Sequence, residues 1–249
     1  MSTWIGIGRS ETGLVRASNQ DAFAVIDSTG MWAVADGMGG HVGGAVAAQT
    51  AISTVQAQAA SSREQLRNGS ASPIDVLTAL ISRAHDAILA QARSQPKLKG
   101  MGTTLVLLTV IPDQTSMAYV AHIGDSRAYR FRAGTLTPLT RDHSLIEKYL
   151  ERGILTPETA KTHPERHVLT RALGVTATAA PTIAGCAMHE DDLVILCSDG
   201  LTKMLEDQDI QRVLCNGDPS PAGVCDRLIA AALDRGGEDN VTVVVVAYR

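Results

Sequence analysis

"MWAVADGMGGHVGG", residues 31–44, begins with an apolar run from Met31 to Ala35, reaches a carboxylate at Asp36, and then gives glycine five of the next eight positions. A short apolar run bounded by turn residues reads as a buried strand. One glycine would make a turn. Five strip the backbone of side chains where something must come close to it. An Asp-Gly step after a strand is ordinary turn chemistry when it stands alone, so the reading depends on whether the arrangement recurs.

It does recur. Asp199-Gly200 ends "LVILCSDG", Asp125 follows "YVAHIG", Asp239 stands just before "NVTVVVVAY", and Asp21 precedes "AFAVID". Each sets a carboxylate at the mouth of a strand whose other residues belong in a core. Strand ends of one sandwich can converge on one edge. Two carboxylates ~4 Å apart repel by about 4 kcal/mol at an effective dielectric of 20, so a pocket that collects several of them needs cations. Oxygen donors without paired His or Cys favour hard divalent ions such as Mg²⁺ or Mn²⁺. The glycines let carbonyl groups and ion-bound waters approach, which makes residues 31–44 half of an expected metal cradle.

Working outward, "STWIGIGRS" alternates as a first strand, and "AFAVID" and "MWAVAD" flank Ser28-Thr29-Gly30 as a hairpin. Apolar residues at helical spacing from Val46 to Ala59 predict a helix, and the polar stretch 61–72 a loop. Ser72-Pro73, with Asp75 three after the cap, predicts a second helix running to about Arg93. "GTTLVLLTVI", "SMAYVAHIG" and "RAYRFRAG" read as an antiparallel meander. Residues 141–178 are charged, broken by Pro157 and Pro164, and helical only in "SLIEKYLERG". A helix from Ser220-Pro221 to Arg235 stops at Gly236-Gly237, and "NVTVVVVAY" closes as a strand buried on both faces. The order does not alternate βαβα, which excludes a doubly wound parallel sheet and favours two antiparallel layers with helices outside.

The 249 residues read as a single domain, 1–249, without repeat or linker, and a net charge of -4 argues against nucleic-acid binding. Four cysteines without a C-x-x-C pair read as reduced thiols. No basic-then-apolar start or long apolar run suggests a leader or membrane span. The expectation is a cytoplasmic, monomeric protein.

Eight stretches, in this order, resemble the metal-dependent serine/threonine protein phosphatases of the 2C type (the PPM family), in its bacterial branch. They are "GLVRASNQDAF", "VADGMGGHVGG", "GTTLVLLTV", "AHIGDSRAYRF", "LTRDHS", "HVLTRALG", "LVILCSDGL" and "GGEDNVTVVVV", and they run from Gly13 to Val246. The resemblance implies an α-β-β-α sandwich of two mainly antiparallel sheets, with 141–178 as a flap beside the cleft. It implies two Mg²⁺ or Mn²⁺ ions and a third, weaker site. Asp36 would bridge the two ions, and the Gly37 carbonyl would bind the second. Asp199 and Asp239 would complete the first, with Asp21 acting through a coordinated water. Asp125, with Asp199, matches the third site. Arg16 matches the arginine that grips the substrate phosphate.

The implied reaction is hydrolysis of phosphoserine or phosphothreonine in proteins by a water held between the ions, opposing a serine/threonine kinase. His41, five residues after Asp36, is the candidate general acid for the leaving alkoxide. Gln20 departs from the family pattern, being neutral where many relatives carry an acid. Two other readings use the same residues: an idle module that binds phosphoproteins, and a hydrolase of small phosphate esters. His163 and His167 have zinc-pair spacing but lack partner ligands, and the glycines fit neither nucleotide template. In the flap, Arg141, Lys148, Arg152, Lys161 and Arg166 are candidates to meet a substrate protein.

Overall fold

A computed structural model describes residues 4–39, 43–111, 114–175 and 177–249. The chain begins with β1 (Trp4–Glu11), β2 (Asp21–Ile26) and β3 (Met31–Met38), followed by α1 (Gly43–Arg67) and α2 (Pro73–Ser94). The middle holds β4 (Gly102–Thr103), β5 (Leu105–Ile111), β6 (Gln114–Ile123), β7 (Arg127–Arg132) and β8 (Thr135–Pro138). The flap carries two short helices, α3 (Leu145–Glu151) and α4 (Pro157–Lys161). The last third contains β9 (Thr182–Ala187), β10 (Leu193–Cys197), α5 (Asp199–Thr202), α6 (Asp207–Cys215), α7 (Pro221–Asp234) and β11 (Val241–Tyr248).

Two antiparallel sheets form. One runs β1-β11-β10-β7-β8; the other runs β2-β3-β5-β6-β9, with β4 added to β3. Strand periodicity explains the layering. Along β3, Trp32 and Val34 point between the sheets, while Met31, Ala33 and Ala35 point towards α1 and α2. Along β11, Val244, Val246 and Tyr248 face the intersheet core, and Val241, Val243, Val245 and Ala247 face α5–α7. A strand covered on both faces reads as a nearly continuous apolar run, and β11 is buried at all eight positions, with Thr242, hydrogen-bonded to Asp21, as its polar exception. Each buried valine of β11 contributes roughly 1.5–3 kcal/mol on leaving water. The result is the expected α-β-β-α sandwich, with three apolar clusters between four layers, two of sheet and two of helix.

The helix ends follow local chemistry. Ser72 and Asp75 form the expected capping box, with Pro73 in the first turn of α2. α1 runs past the expected stop at 60, because Val55, Ala59, Ser62 and Leu66 continue one buried stripe; the loop shrinks to 68–72. β8, α4, α5, α6 and β9 have no counterpart in the sequence reading, and α4 adds a second short helix to the flap. The expected meander is corrected too. β5 and β6 pair in one sheet, but β7 and β8 belong to the other. The chain changes sheets at Gly124-Asp125-Ser126, and that crossing leaves Asp125 at the seam between them.

β3 also differs from the expected strand. It does not end at Asp36 but runs to Met38, where Gly37 and Met38 pair with Thr103 and Gly102 of β4. Asp36 therefore sits inside a strand, with a backbone as rigid as the core behind it. The flap is pinned at its base. Leu145 N–H donates to the Val168 carbonyl (2.8 Å), Thr170 N–H to that of His143 (2.7 Å), and Leu173 N–H to that of Thr103 (2.9 Å).

Candidate active site

A cleft of about 640 Å³ opens where the two sheets splay apart. Asp36, Gly37, Asp125, Asp199 and Asp239 line it, with Arg16, Lys203 and the flap residues His167, Arg171 and Val175 around them. Asp21 lies opposite Asp36 across the β2–β3 ladder. Five carboxylates from distant parts of the chain thus meet at one end of the sandwich.

Asp36 and Asp21 are held by their neighbours. Asp36 is clamped through its backbone: its N–H donates to Thr104 Oγ1 (3.0 Å), and its carbonyl accepts from Thr104 N–H (2.9 Å) and Thr103 Oγ1 (2.8 Å). Thr104 is tied in turn to Ser126 (2.7 Å between hydroxyls), so Ser126 is a buried strut of the clamp. Asp21 Oδ2 accepts from Ser198 Oγ (2.8 Å) and Thr242 Oγ1 (2.7 Å), which belong to the opposite sheet and its edge. Asn240 fastens the loop that carries Arg16. Its Oδ1 accepts from Gln20 N–H (2.9 Å), and its Nδ2 donates to the carbonyls of Thr12 (2.9 Å) and Ser18 (3.0 Å).

Two glycines have a steric reason. A Cβ on Gly37 would lie 2.1 Å from the Gly44 carbonyl oxygen, and one on Gly200 would lie 2.0 Å from that of Asn240. Backbone occupies both places, so no side chain fits next to Asp36 or Asp199.

Crowding shows in the acid strengths. Removal from water, together with Asp21, Asp199 and Asp125, drives Asp36 well above the usual carboxylate range. Burial, with the charge of Asp199 nearby, pushes Asp21 up to about 7 against the hydroxyl bonds that favour its ionised form. Burial, Asp199 and Asp142 push Asp125 up to about 7. Asp239 goes the other way. Burial raises it, but Lys203 and Arg16 outweigh that and hold it below the usual range. These are the signatures of carboxylates gathered faster than protein cations can balance them.

The donor set fits divalent ions. Asp21 Oδ1 and Asp199 Oδ1 are enclosed, and neither has a hydrogen-bond partner. A buried acceptor left unpaired costs about 1–3 kcal/mol, more when charged, and a hard cation would answer both. Among the described residues, no three of His, Cys, Asp and Glu converge tightly enough to grip one ion unaided. Mg²⁺ usually keeps several waters and takes only one or two carboxylates directly, so an open arrangement of acids suits it.

Two protein cations also meet these acids. Lys203 Nζ lies 2.6 Å from Asp199 Oδ2 and 2.8 Å from Asp239 Oδ2. Arg16 forks onto Asp239, with Nε 2.8 Å from Oδ1 and Nη2 2.9 Å from Oδ2.

A family model described as protein phosphatase 2C matches residues 12–222. The chain belongs to the protein phosphatase 2C family. The serine/threonine protein phosphatase PstP of Mycobacterium tuberculosis (strain CDC 1551 / Oshkosh) is 38% identical to it over 237 residues, covering 95% of this chain and 43% of that protein. The chain thus spans less than half the length of this mycobacterial relative. A serine/threonine phosphatase, stp, of Listeria welshimeri is 35% identical over 242 residues, covering 96% of this chain and 93% of the relative. Among solved structures, the catalytic domain of PstP in complex with two manganese ions superimposes with a TM-score of 0.84 at 34% identity, covering 100% of this chain and 99% of that one.

Set against the sequence expectations for this 2C-type chain, Arg16, Asp21, Asp36, Gly37, Asp125, Asp199 and Asp239 do come together. His41 lies outside the described residues. Lys203, Asn240, Ser198 and Thr242 were not singled out from the sequence. Asn240 and Ser198 each adjoin a quoted aspartate, and that adjacency was the available signal. In the flap, Arg141 pairs with Glu147 and Glu151, and Lys161 with Glu206. His163 sits edge-on to Tyr149, 5.9 Å between ring centres, and His167 lines the cleft.

Proposed function

We propose that this chain hydrolyses phosphoserine and phosphothreonine in proteins, using divalent metal ions held by Asp36, Asp199 and Asp239, with Asp21 and Asp125 behind them. The observation that carries the reading is the acidic seam itself: five carboxylates at one end of the sandwich, two with enclosed oxygens that lack a partner. Mg²⁺ or Mn²⁺, bound there as two ions with a third, weaker site at Asp125, would supply Lewis acidity and make a water acidic enough to attack at neutral pH.

The chain's own residues supply the rest. Asp36, fixed by the Thr103–Thr104 clamp, holds its carboxylate still at the cleft floor. The Gly37 carbonyl is a further oxygen donor beside it. Arg16 sits on a loop at the mouth, and its planar fork, now on Asp239, matches two phosphate oxygens equally well. His41 remains the candidate proton donor to the leaving alkoxide. The flap closes one wall of the cleft with His167, Arg171 and Val175, where a protein substrate would rest.

The same reading takes residues 1–249 as one catalytic unit acting as a monomer against a serine/threonine kinase. Its cytoplasmic location rests on four unpaired cysteines, the state of a reducing compartment. No helix among the described residues is long and apolar enough to cross a membrane.

The test is hydrolysis of a phosphothreonine peptide, of the same peptide phosphorylated on serine, and of a small phosphate ester. Each is assayed with Mn²⁺, with Mg²⁺ and after chelation. Metal-dependent turnover of the peptides is expected. Turnover that survives chelation, or that is confined to the small ester, would overturn the reading.

A further inference from the structure

Asp199, at the start of α5, and Asp239, just before β11, come from different parts of the chain and are joined here by one side chain. Lys203 follows Asp199 by one helical turn, and its ammonium lies 2.6 Å from Asp199 Oδ2 and 2.8 Å from Asp239 Oδ2. Its backbone N–H donates to the Asp199 carbonyl (2.8 Å), which fixes the root of the side chain beside the acid it neutralises. The lysine is 29% exposed, and the two carboxylates only 18% and 17%. The pair therefore meets where water screens it poorly. Asp199 Oδ1, on the other side of the same carboxylate, is enclosed and unpartnered. One oxygen of Asp199 is satisfied by protein and the other is not.

We propose that Lys203 is a built-in counter-cation that competes with the divalent ion for Asp199 and Asp239. It stabilises the metal-free chain and lowers the affinity of the ion that those two acids hold. The inference rests on the metal-dependent reading above. An ion could take Asp199 through its free Oδ1, but at Asp239 it meets oxygens already held by the ammonium and by Arg16, so Lys203 has to swing aside on its four-carbon stem for both acids to be drawn on. Its backbone anchor keeps it near, and a nearby positive charge opposes an incoming one. Arg16 does not share this property. It reaches Asp239 from a loop, is 55% exposed, and can leave towards solvent or a phosphate.

The experiment measures Mn²⁺ binding by isothermal titration calorimetry, and thermal midpoints in chelator, for the wild type, Lys203→Met, Lys203→Gln and Lys203→Arg. Both neutral variants are expected to bind Mn²⁺ about tenfold tighter or better and to melt lower than the wild type in chelator. Lys203→Arg, which keeps the charge, is expected to stay close to the wild type in both. Two neutral variants guard against one that folds poorly. Wild type that binds Mn²⁺, with unchanged affinity in both neutral variants, would overturn the lysine's role alone. Wild type that binds no Mn²⁺ up to millimolar concentration would overturn the metal-dependent reading and this inference together.

Discussion

Asp21 and Asp36 stand directly opposite each other on β2 and β3, a register that turns two carboxylates to the same face of one sheet at the mouth of the cleft. Opposed residues in an antiparallel pair have Cβ atoms about 4.5–5.5 Å apart, where like charges destabilise. Both carboxyls are driven above their ordinary pKa range, and so made weaker acids, by burial and by charged neighbours.

Removing one of the two charges separates stability from function. Asp36→Asn keeps shape and deletes the charge. In chelator the variant is expected to melt about 2–4 °C higher than the wild type, the shift that ~1 kcal/mol produces in a chain of this size. With Mn²⁺ the order reverses. The wild type gains about 3 kcal/mol at an ion concentration a hundred times the dissociation constant, and the variant gains little. Peptide turnover falls by at least about 10²-fold. Scanning fluorimetry with and without Mn²⁺ reads the first two outcomes. A variant that melts lower than the wild type in chelator would contradict the repulsion.

The same shifts set a pH dependence. Asp21 and Asp125 rise from 3.8 unfolded to about 7 folded, and Asp36 is also raised well above 3.8. Between those values the folded chain binds more protons than the unfolded one, so stability falls as pH rises. The contribution of these acids is complete below about pH 4 and is lost as pH passes 7. Asp239, held below its ordinary value, acts oppositely and only in strong acid. Ion binding requires ionised carboxylates, so the stabilisation by Mn²⁺ grows over the same range. Melting curves from pH 5 to 8 are expected to show a widening gap between the Mn²⁺ and chelator series. A constant gap would mean that the acids are already ionised at pH 5.

The sandwich was legible because its strands are covered on both faces, which forces apolar runs such as Leu193–Cys197 and Val241–Tyr248 to stand out between polar turns. The acids were legible because a carboxylate at the end of such a run has no place in a core. What escaped was whatever depends on contacts between distant segments. Nothing in "RAYRFRAG" says that it joins a different sheet from the strand before it; that is set by which apolar face finds a partner. β9 was invisible because its burial is patchy, with only Cys186 buried. Lys203 looked like any exposed lysine, since the pair it bridges exists only after β10 and β11 are side by side.

Asn240 carries more than its quiet place in "EDNVT" suggests. It makes three hydrogen bonds to the backbone of the 12–20 loop and is 5% exposed. Asn240→Ala leaves one donor and two acceptors without partners in a confined space. At about 1 kcal/mol for each bond lost, the cost is roughly 2–4 kcal/mol in chemical denaturation. Arg16 rides on the loop that these bonds fasten, so the KM for a phosphothreonine peptide is expected to rise as well. Asn240→Asp restores the acceptor but not the Nδ2 donors, and should fall between the two. A loss of stability with an unchanged KM would confine Asn240 to the fold.

Arg16 offers a test of geometry rather than charge. Its guanidinium meets both oxygens of Asp239, at 2.8 and 2.9 Å, from an exposed loop. Surface ion pairs contribute about 0–1 kcal/mol, so Arg16→Lys should leave the melting midpoint nearly unchanged. Recognition is another matter. A phosphate monoester presents two oxygens at the spacing a planar fork matches, and an ammonium cannot reproduce two parallel bonds. The KM for a phosphothreonine peptide is expected to rise about tenfold in Arg16→Lys, the equivalent of ~1.4 kcal/mol, and further in Arg16→Ala, while kcat changes less. Steady-state kinetics on all three proteins decide it. If Arg16→Lys keeps the KM of the wild type while Arg16→Ala does not, the site reads charge alone; if neither changes, Arg16 serves Asp239 and not the phosphate.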